Sequence, residues 1–210
     1  IVPYDHGLMA LDIMTGSVSW DVVIEEELFY RSSPVAFGNA YLMGSETGVL
    51  WEISANSTPS IFYSPAVDIE SPMIRGPVTV IGNRILIPVQ GSSNGGLIET
   101  DGESTIVHPV WGAIAILADS SGDVVVATSQ NTTIYDCTTW CVASQKLTNE
   151  PVSGEVGFKD GIITLPINDG EGRWLRFSQD CDVENCTWVE VTPLFHSHPQ
   201  YLTAGVGYFN

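Results

Sequence analysis

A strand–turn–strand unit recurring about every 40 residues constrains this chain more than any other feature. Its clearest copy is Ala10–Trp20, which reads A-x-D-x-x-T-G-x-x-x-W: a strand, a polar turn, then a strand carrying a tryptophan. Weaker copies follow. Anchored on Gly38, Gly82, Gly122, Gly161 and Gly207, the chain divides into five units. Each holds short β-branched and aromatic runs separated by Gly, Asn, Asp and Ser clusters, the pattern of antiparallel strands and turns. Helical periodicity is almost absent, and scattered prolines disfavour helix further.

The first complete unit is Pro34–Ser54 with Pro59–Tyr63, and the second is Pro77–Gly91, Gly96–Thr100 and Ser104–Val107. A third comprises Ala113–Leu117, Val124–Ser129, Thr133–Asp136 and Cys141–Gln145. The fourth runs from Glu155 through Gly161–Pro166, Trp174–Gln179 and Thr187–Val191. What remains is split between the termini: Tyr201–Gly207 supplies one strand, and Ile1–Tyr4, Leu8–Ile13 and Val18–Ile24 supply three. A small twisted sheet cannot bury both faces alone, so such units pack side by side into a ring. The expectation is an all-β chain in which residues 1–210 form a single β-propeller domain of five four-stranded blades. One blade is closed by strands from both termini. An eight-bladed ring cut short is the other reading, and it would leave open strand edges.

The repeat resembles that of the PQQ-like, quinoprotein-type β-propeller family. Ala10–Trp20 matches the family motif in full, and Ser178–Asp180 through Trp188 resembles it with an insertion that holds a cysteine pair. The resemblance implies that Asp12, Thr15, Gly16 and Trp20 are scaffold, with the tryptophan packed between blades. Quinone enzymes of the family use larger rings, and those of the alcohol dehydrogenase type carry an adjacent Cys-Cys pair that this sequence lacks. No PQQ or other cofactor is therefore expected. Non-enzymatic propellers that serve as assembly and binding scaffolds are the nearer analogy.

Charge narrows the partners. With 25 acidic residues against 7 basic ones, the net charge of −18 repels nucleic acid and anionic lipid. The excess reads either as a solubility adaptation or as a surface for cations or a basic partner. No apolar stretch is long enough to cross a membrane, so no membrane insertion is expected. No charged-then-apolar leader is present, so any signal peptide would have been removed or would lie outside this sequence. The cysteines fall as two local pairs, Cys137/Cys141 and Cys181/Cys186, each bracketing a polar turn between strand-like runs. Disulfides that staple the hairpins are the leading reading, ahead of a shared four-cysteine metal site or free thiols. With sequons at Asn56, Asn131 and Asn185, they point to a secreted or cell-surface domain, expected to be monomeric.

Propeller topology puts the loops between strand four and the next strand one on the same face as those between strands two and three. On that face Arg31 and Arg75 fall at matching positions just before strand one, with Trp111, Ser153 and Tyr201 roughly equivalent in other units. Two of seven basic residues at one axial mouth suggest a site for a carboxylate, sulfate or phosphate. The alternative is pairing with Glu25, Glu26, Glu27 or Glu70. His6, His108, His196 and His198 map to the same face, as a candidate chelating set or as ordinary loop histidines. The candidate ligand-binding residues are thus Arg31, Arg75, His108, Trp111, His196, His198 and Tyr201. No catalytic or metal-ligating residue is assigned: Asn168–Glu171 and Asp119–Asp123 have a calcium-like composition but suit hairpin turns equally. The expected function is non-catalytic binding of an anionic small molecule, a glycan or a protein partner. A glycan-active hydrolase of five-bladed type is the alternative, but Glu155 is the one obvious inner acid for it.

Overall fold

The apolar runs fold into antiparallel strands whose burial reflects their place in each sheet. The computed structural model describes residues 1–191 except 26, 30–32, 56, 66–68, 75, 77, 93–94, 111, 119–121, 153–155, 160, 168–172 and 182–185. For residues 114, 115, 158, 159, 181 and 186 it describes the backbone alone. The described residues form 20 strands and no helix. The chain divides into two units, Ile1–Gly112 and Ala113–Asn210.

In the first unit, β1 (Val2–Tyr4), β2 (Gly7–Leu11) and β3 (Val18–Val23) form a three-stranded sheet. A four-stranded sheet follows, from β4 (Val35–Phe37), β5 (Ala40–Gly44), β6 (Leu50–Ile53) and β7 (Ser60–Tyr63) in sequence order. The third sheet contains β8 (Met73–Ile74), β9 (Thr79–Ile81), β10 (Arg84–Gln90), β11 (Gly95–Thr100) and β12 (Thr105–His108), with β10 central. The second unit has two four-stranded sheets, each in sequence order. One is β13 (Ala113–Ala118), β14 (Asp123–Thr128), β15 (Thr132–Asp136) and β16 (Val142–Thr148). The other is β17 (Gly157–Lys159), β18 (Ile162–Pro166), β19 (Trp174–Cys181) and β20 (Cys186–Glu190).

Continuous apolar sequence marks strands buried on both faces. The Ile85–Val89 stretch of β10 and the Val124–Thr128 stretch of β14 are buried at every position. Last strands alternate instead or are largely exposed, as β3 and β16 show. In the first unit Leu8, Phe29, Met43 and Ile53 form one core, with Trp20, Tyr41 and Trp51 packed against it. Leu42, Leu50, Ile74, Ile85, Ile87 and Ile98 belong to a second. The second unit's core joins Val125, Ala127 and Ile134 of one sheet to Ile163, Leu165, Phe177 and Trp188 of the next.

Two features depart from the expected four-strand units. The third sheet carries β8 as well as β9 on the same edge of β10, the first pairing at Val89 and Gln90, the second at Arg84–Leu86. The ladder on that edge breaks across Ile87 and Pro88, and a proline has no N–H to donate to a ladder. In the first sheet the described residues supply three strands, and the expected fourth, Tyr201–Gly207, lies outside the described residues.

The opening motif is a turn held by its aspartate. Asp12 Oδ1 accepts hydrogen bonds from the N–H groups of Met14 (2.9 Å) and Thr15 (2.8 Å) and from the Thr15 hydroxyl (2.9 Å). Gly16 takes φ +71°, which glycine adopts without steric cost. Trp20 leaves the turn for the core, its ring 6.3 Å from that of Tyr41.

Candidate functional site

Of the residues placed by sequence at the axial mouth, Arg31, Arg75, Trp111, Ser153, His196, His198 and Tyr201 lie outside the described residues, as do Glu26 and Glu155. His108 is described, and it is engaged. Its Nε2 lies 2.8 Å from Glu99 Oε2, and Arg84 pairs with the other oxygen of the same carboxylate. Strand register explains the convergence. Glu99 is the cross-strand partner of Leu86 and of Ile106, so Arg84 and His108, each two residues further along, share its face. Glu99 is fully buried, and both partner side chains are 12% exposed. A carboxylate out of water requires such partners, because an unpaired buried charge is strongly destabilising. Sequence reading missed this cluster. Its signal was a glutamate inside the apolar run Gly95–Thr100, facing an arginine and a histidine at diagonal positions.

Glu27, one of the acids considered as a partner for Arg31, anchors a second polar network. His6 Nδ1 lies 2.8 Å from the Glu27 carbonyl oxygen. The Thr47 hydroxyl donates to the Glu27 carboxylate, 2.7 and 2.9 Å from its two oxygens. Ser45 is 2.8 Å from that hydroxyl and accepts from Val49 N–H at 3.2 Å. Since the Thr47 proton is committed to Glu27, Ser45 is the donor between the two hydroxyls, and the bonds run in one direction.

Cys137 and Cys141 form a disulfide across the β15–β16 turn, as their spacing suggested. Cys181 and Cys186 are cross-strand partners at the matching end of the β19–β20 hairpin, and their side chains lie outside the described residues. Among the described residues no three His, Cys, Asp or Glu side chains gather as a metal would require. Of the sequons, Asn131 is described and partly exposed, while Asn56 and Asn185 lie outside the described residues.

Within the second unit, a cleft of about 340 Å³ opens between its two sheets, lined by Asp123, Asp136, Ser144, Gln145, Gln179, Thr187 and Trp188. It arises where core-facing rows turn polar. Asp123 continues the row of Val125 and Ala127, and Asp136 that of Ile134. Gln145 opposes Ile134 in register, and Gln179 opposes Trp188. Asp123 and Asp136 are cross-strand partners, which places their Cβ atoms about 5 Å apart. Gln179 Nε2 donates to Asp123 Oδ2 at 3.1 Å. Asp136 Oδ1 accepts from Thr138 N–H at 3.0 Å and from the Thr138 hydroxyl at 2.9 Å, and these bonds hold the carboxyl below its ordinary pKa.

No protein-family model matches the chain, and no curated protein matches it. Solved structures do. BamB from Moraxella catarrhalis aligns with a TM-score of 0.66 at 12% identity, over 98% of this chain and 62% of its own. The computationally designed Ika8 protein aligns at 0.64 and 14%, over 95% of this chain and 59% of its own. BBS1N, solved in complex with ARL6DN, aligns at 0.61 and 13%, over 95% of this chain and 64% of its own. The chain therefore spans about three fifths of the length of each of these proteins. BamB is a β-propeller of PQQ-like repeats, and at these identities what the chain shares with it is the fold: an all-β, propeller-like set of antiparallel sheets.

Proposed function

We propose that the chain is a non-catalytic binding or interaction module of a secreted or cell-surface protein. It is read as one five-bladed ring in which Tyr201–Gly207 completes the sheet of β1–β3. Its ligand is an anionic small molecule, a glycan or a protein partner, taken on the loop face assigned to Arg31, Arg75, Trp111, His196, His198 and Tyr201. His108, with Nε2 committed to Glu99, belongs to the same set.

The observation that carries the reading is the likeness, over 95% of the chain, to BBS1N, a structure solved with a protein bound to it. Propellers expose many loops on a rigid scaffold, and loops so held are where binding residues concentrate. The disulfide between Cys137 and Cys141 supports an oxidising compartment. For the ligand, two arginines at equivalent repeat positions in a chain with seven basic residues favour an anionic group.

A thermal-shift screen with anionic sugars tests this. A ligand that binds the folded state raises the melting temperature by mass action. Arg31→Ala together with Arg75→Ala is expected to abolish that rise. An unchanged rise in the double variant would sink the site assignment.

A further inference from the structure

We propose that the Asp12 turn is a docking element in its own right: Ile13 and Met14 form an apolar knob for a protein partner whose apolar patch is edged by lysine and arginine. The proposal goes beyond the loop-face reading and uses none of its residues. His6, mapped to that face, precedes β2, whereas the knob follows it, so either reading can fail alone.

Turns between strands ordinarily carry small or polar residues. Here Ile13 is 96% and Met14 88% exposed, at the tip of the β2–β3 hairpin. Beside them Leu11 and Val18 are cross-strand partners, and both are exposed. Single apolar side chains on a surface need no explanation, but four at one hairpin end form a patch. The turn itself does not call for them. Asp101 holds its own turn with the same pair of bonds, accepting from Glu103 N–H at 3.0 Å and Ser104 N–H at 2.7 Å. There Gly102 and Glu103 follow the aspartate in place of Ile13 and Met14. The knob is also held still: Asp12 Oδ1 accepts three bonds, Gly16 N–H donates to the Asp12 carbonyl at 2.8 Å, and Asp12 N–H donates to the Ser17 carbonyl at 2.9 Å. Side chains on a fixed backbone lose less freedom on docking, and methionine adapts to the surface it meets.

The charges around the knob choose its occupant. Residues 1–30 hold six acids, Asp5, Asp12, Asp21, Glu25, Glu26 and Glu27, and no lysine or arginine. Asp12, at the root of the knob, stays ionised because the bonds it accepts, chiefly from the Thr15 N–H, hold its carboxyl below the ordinary pKa. A patch edged by lysine and arginine meets these carboxylates while its apolar centre covers Ile13 and Met14, which is the arrangement of an apolar interface core inside a polar rim. A second copy of the chain would bring the same acids to the contact, and anionic lipid would be repelled.

NMR titration of the full chain, isotope-labelled at its methionine methyl groups, tests the proposal at low salt. The probe is a helical Leu/Lys peptide whose leucine stripe is flanked by lysines. It should shift the Met14 methyl signal saturably and leave that of the fully buried Met43 in place. By calorimetry, a Ser/Lys peptide of equal charge should bind more weakly by on the order of tenfold or more, since it offers nothing apolar to cover. Ile13→Ser with Met14→Ser keeps the charge and should weaken the Leu/Lys peptide to a similar extent. That variant should melt with the parent, because neither side chain is buried. Val107→Ser with Val142→Ser removes two exposed valines elsewhere and should bind like the parent. The proposal is overturned if the two peptides bind alike, if the knob variant keeps its affinity or melts lower, or if the valine variant loses as much affinity. It is overturned equally by a Met14 shift that comes from concentrating the chain alone, which would assign the knob to a second copy. A shift seen with phosphatidylcholine vesicles and not with the peptide would assign it to a membrane surface and overturn the proposal as well.

Discussion

Gln145 uses its side-chain amide as a strand. Nε2 donates to the Trp188 carbonyl oxygen at 2.6 Å, and Trp188 N–H donates to Oε1 at 2.7 Å, across 43 residues of sequence. Trp188 pairs with Gln179 in the β19–β20 ladder, so Gln145 serves β20 from its other edge. Trp188, buried at 6% exposure, thereby stays in the second unit's core.

Replacing Gln145 with alanine leaves both backbone groups of Trp188 without these partners. A buried, unsatisfied donor or acceptor costs about 1–3 kcal/mol, so Gln145→Ala should lower stability by about 2 kcal/mol in urea denaturation. A loss below about 0.5 kcal/mol would show that water replaces the amide without penalty.

Glu99 is the carboxylate on which Arg84 and His108 converge. Glu99→Gln would leave Arg84 and His108 facing a neutral amide in a buried setting, and breaking such a pair costs about 3–5 kcal/mol. Glu99→Leu combined with Arg84→Met should cost less than Glu99→Gln alone, because apolar replacement of a whole buried pair is often tolerated. Equal losses in a denaturation series would contradict the pairing.

Three turns share one electrostatic device. Asp12 is held below its ordinary pKa chiefly by the Thr15 N–H, Asp101 by the Ser104 N–H, and Asp136 by the Thr138 N–H. A carboxyl whose pKa is depressed on folding adds stability that is complete above its unfolded value and is lost as pH falls through the folded one. Stability should therefore decline as pH drops below about 4. Asp12→Asn, Asp101→Asn and Asp136→Asn together should flatten that decline while changing little of the pH dependence near neutrality. A profile as steep as the parent's would place the acid sensitivity elsewhere.

Much of the fold was legible because strand periodicity and turn chemistry are local. The runs at Pro34–Tyr63 and Ala113–Gln145 foretold two sheets strand by strand, and the Asp12 turn announced itself through Asp, Thr and Gly at fixed spacing. The split first strand of the third sheet was not legible: it depends on how Met73–Ile74 meets β10 beyond Pro88, a tertiary pairing. Side-chain partnerships were harder still. Glu99 meets Arg84 and His108 through register on three strands, and the cleft joins residues as distant as Asp123 and Gln179. Repeat position can group residues such as Arg31 and Arg75 on one face, but it carries no information about diagonal neighbours across a ladder.

The binding-module reading is tested most directly by a crystal structure of the chain soaked with an anionic sugar. An ordered anionic group held between the guanidinium groups of Arg31 and Arg75 at one axial mouth is the expected result. Arginines paired instead with Glu25, Glu26, Glu27 or Glu70, with a carboxyl pair about 5–10 Å apart at the axis, would contradict it and favour glycoside hydrolysis.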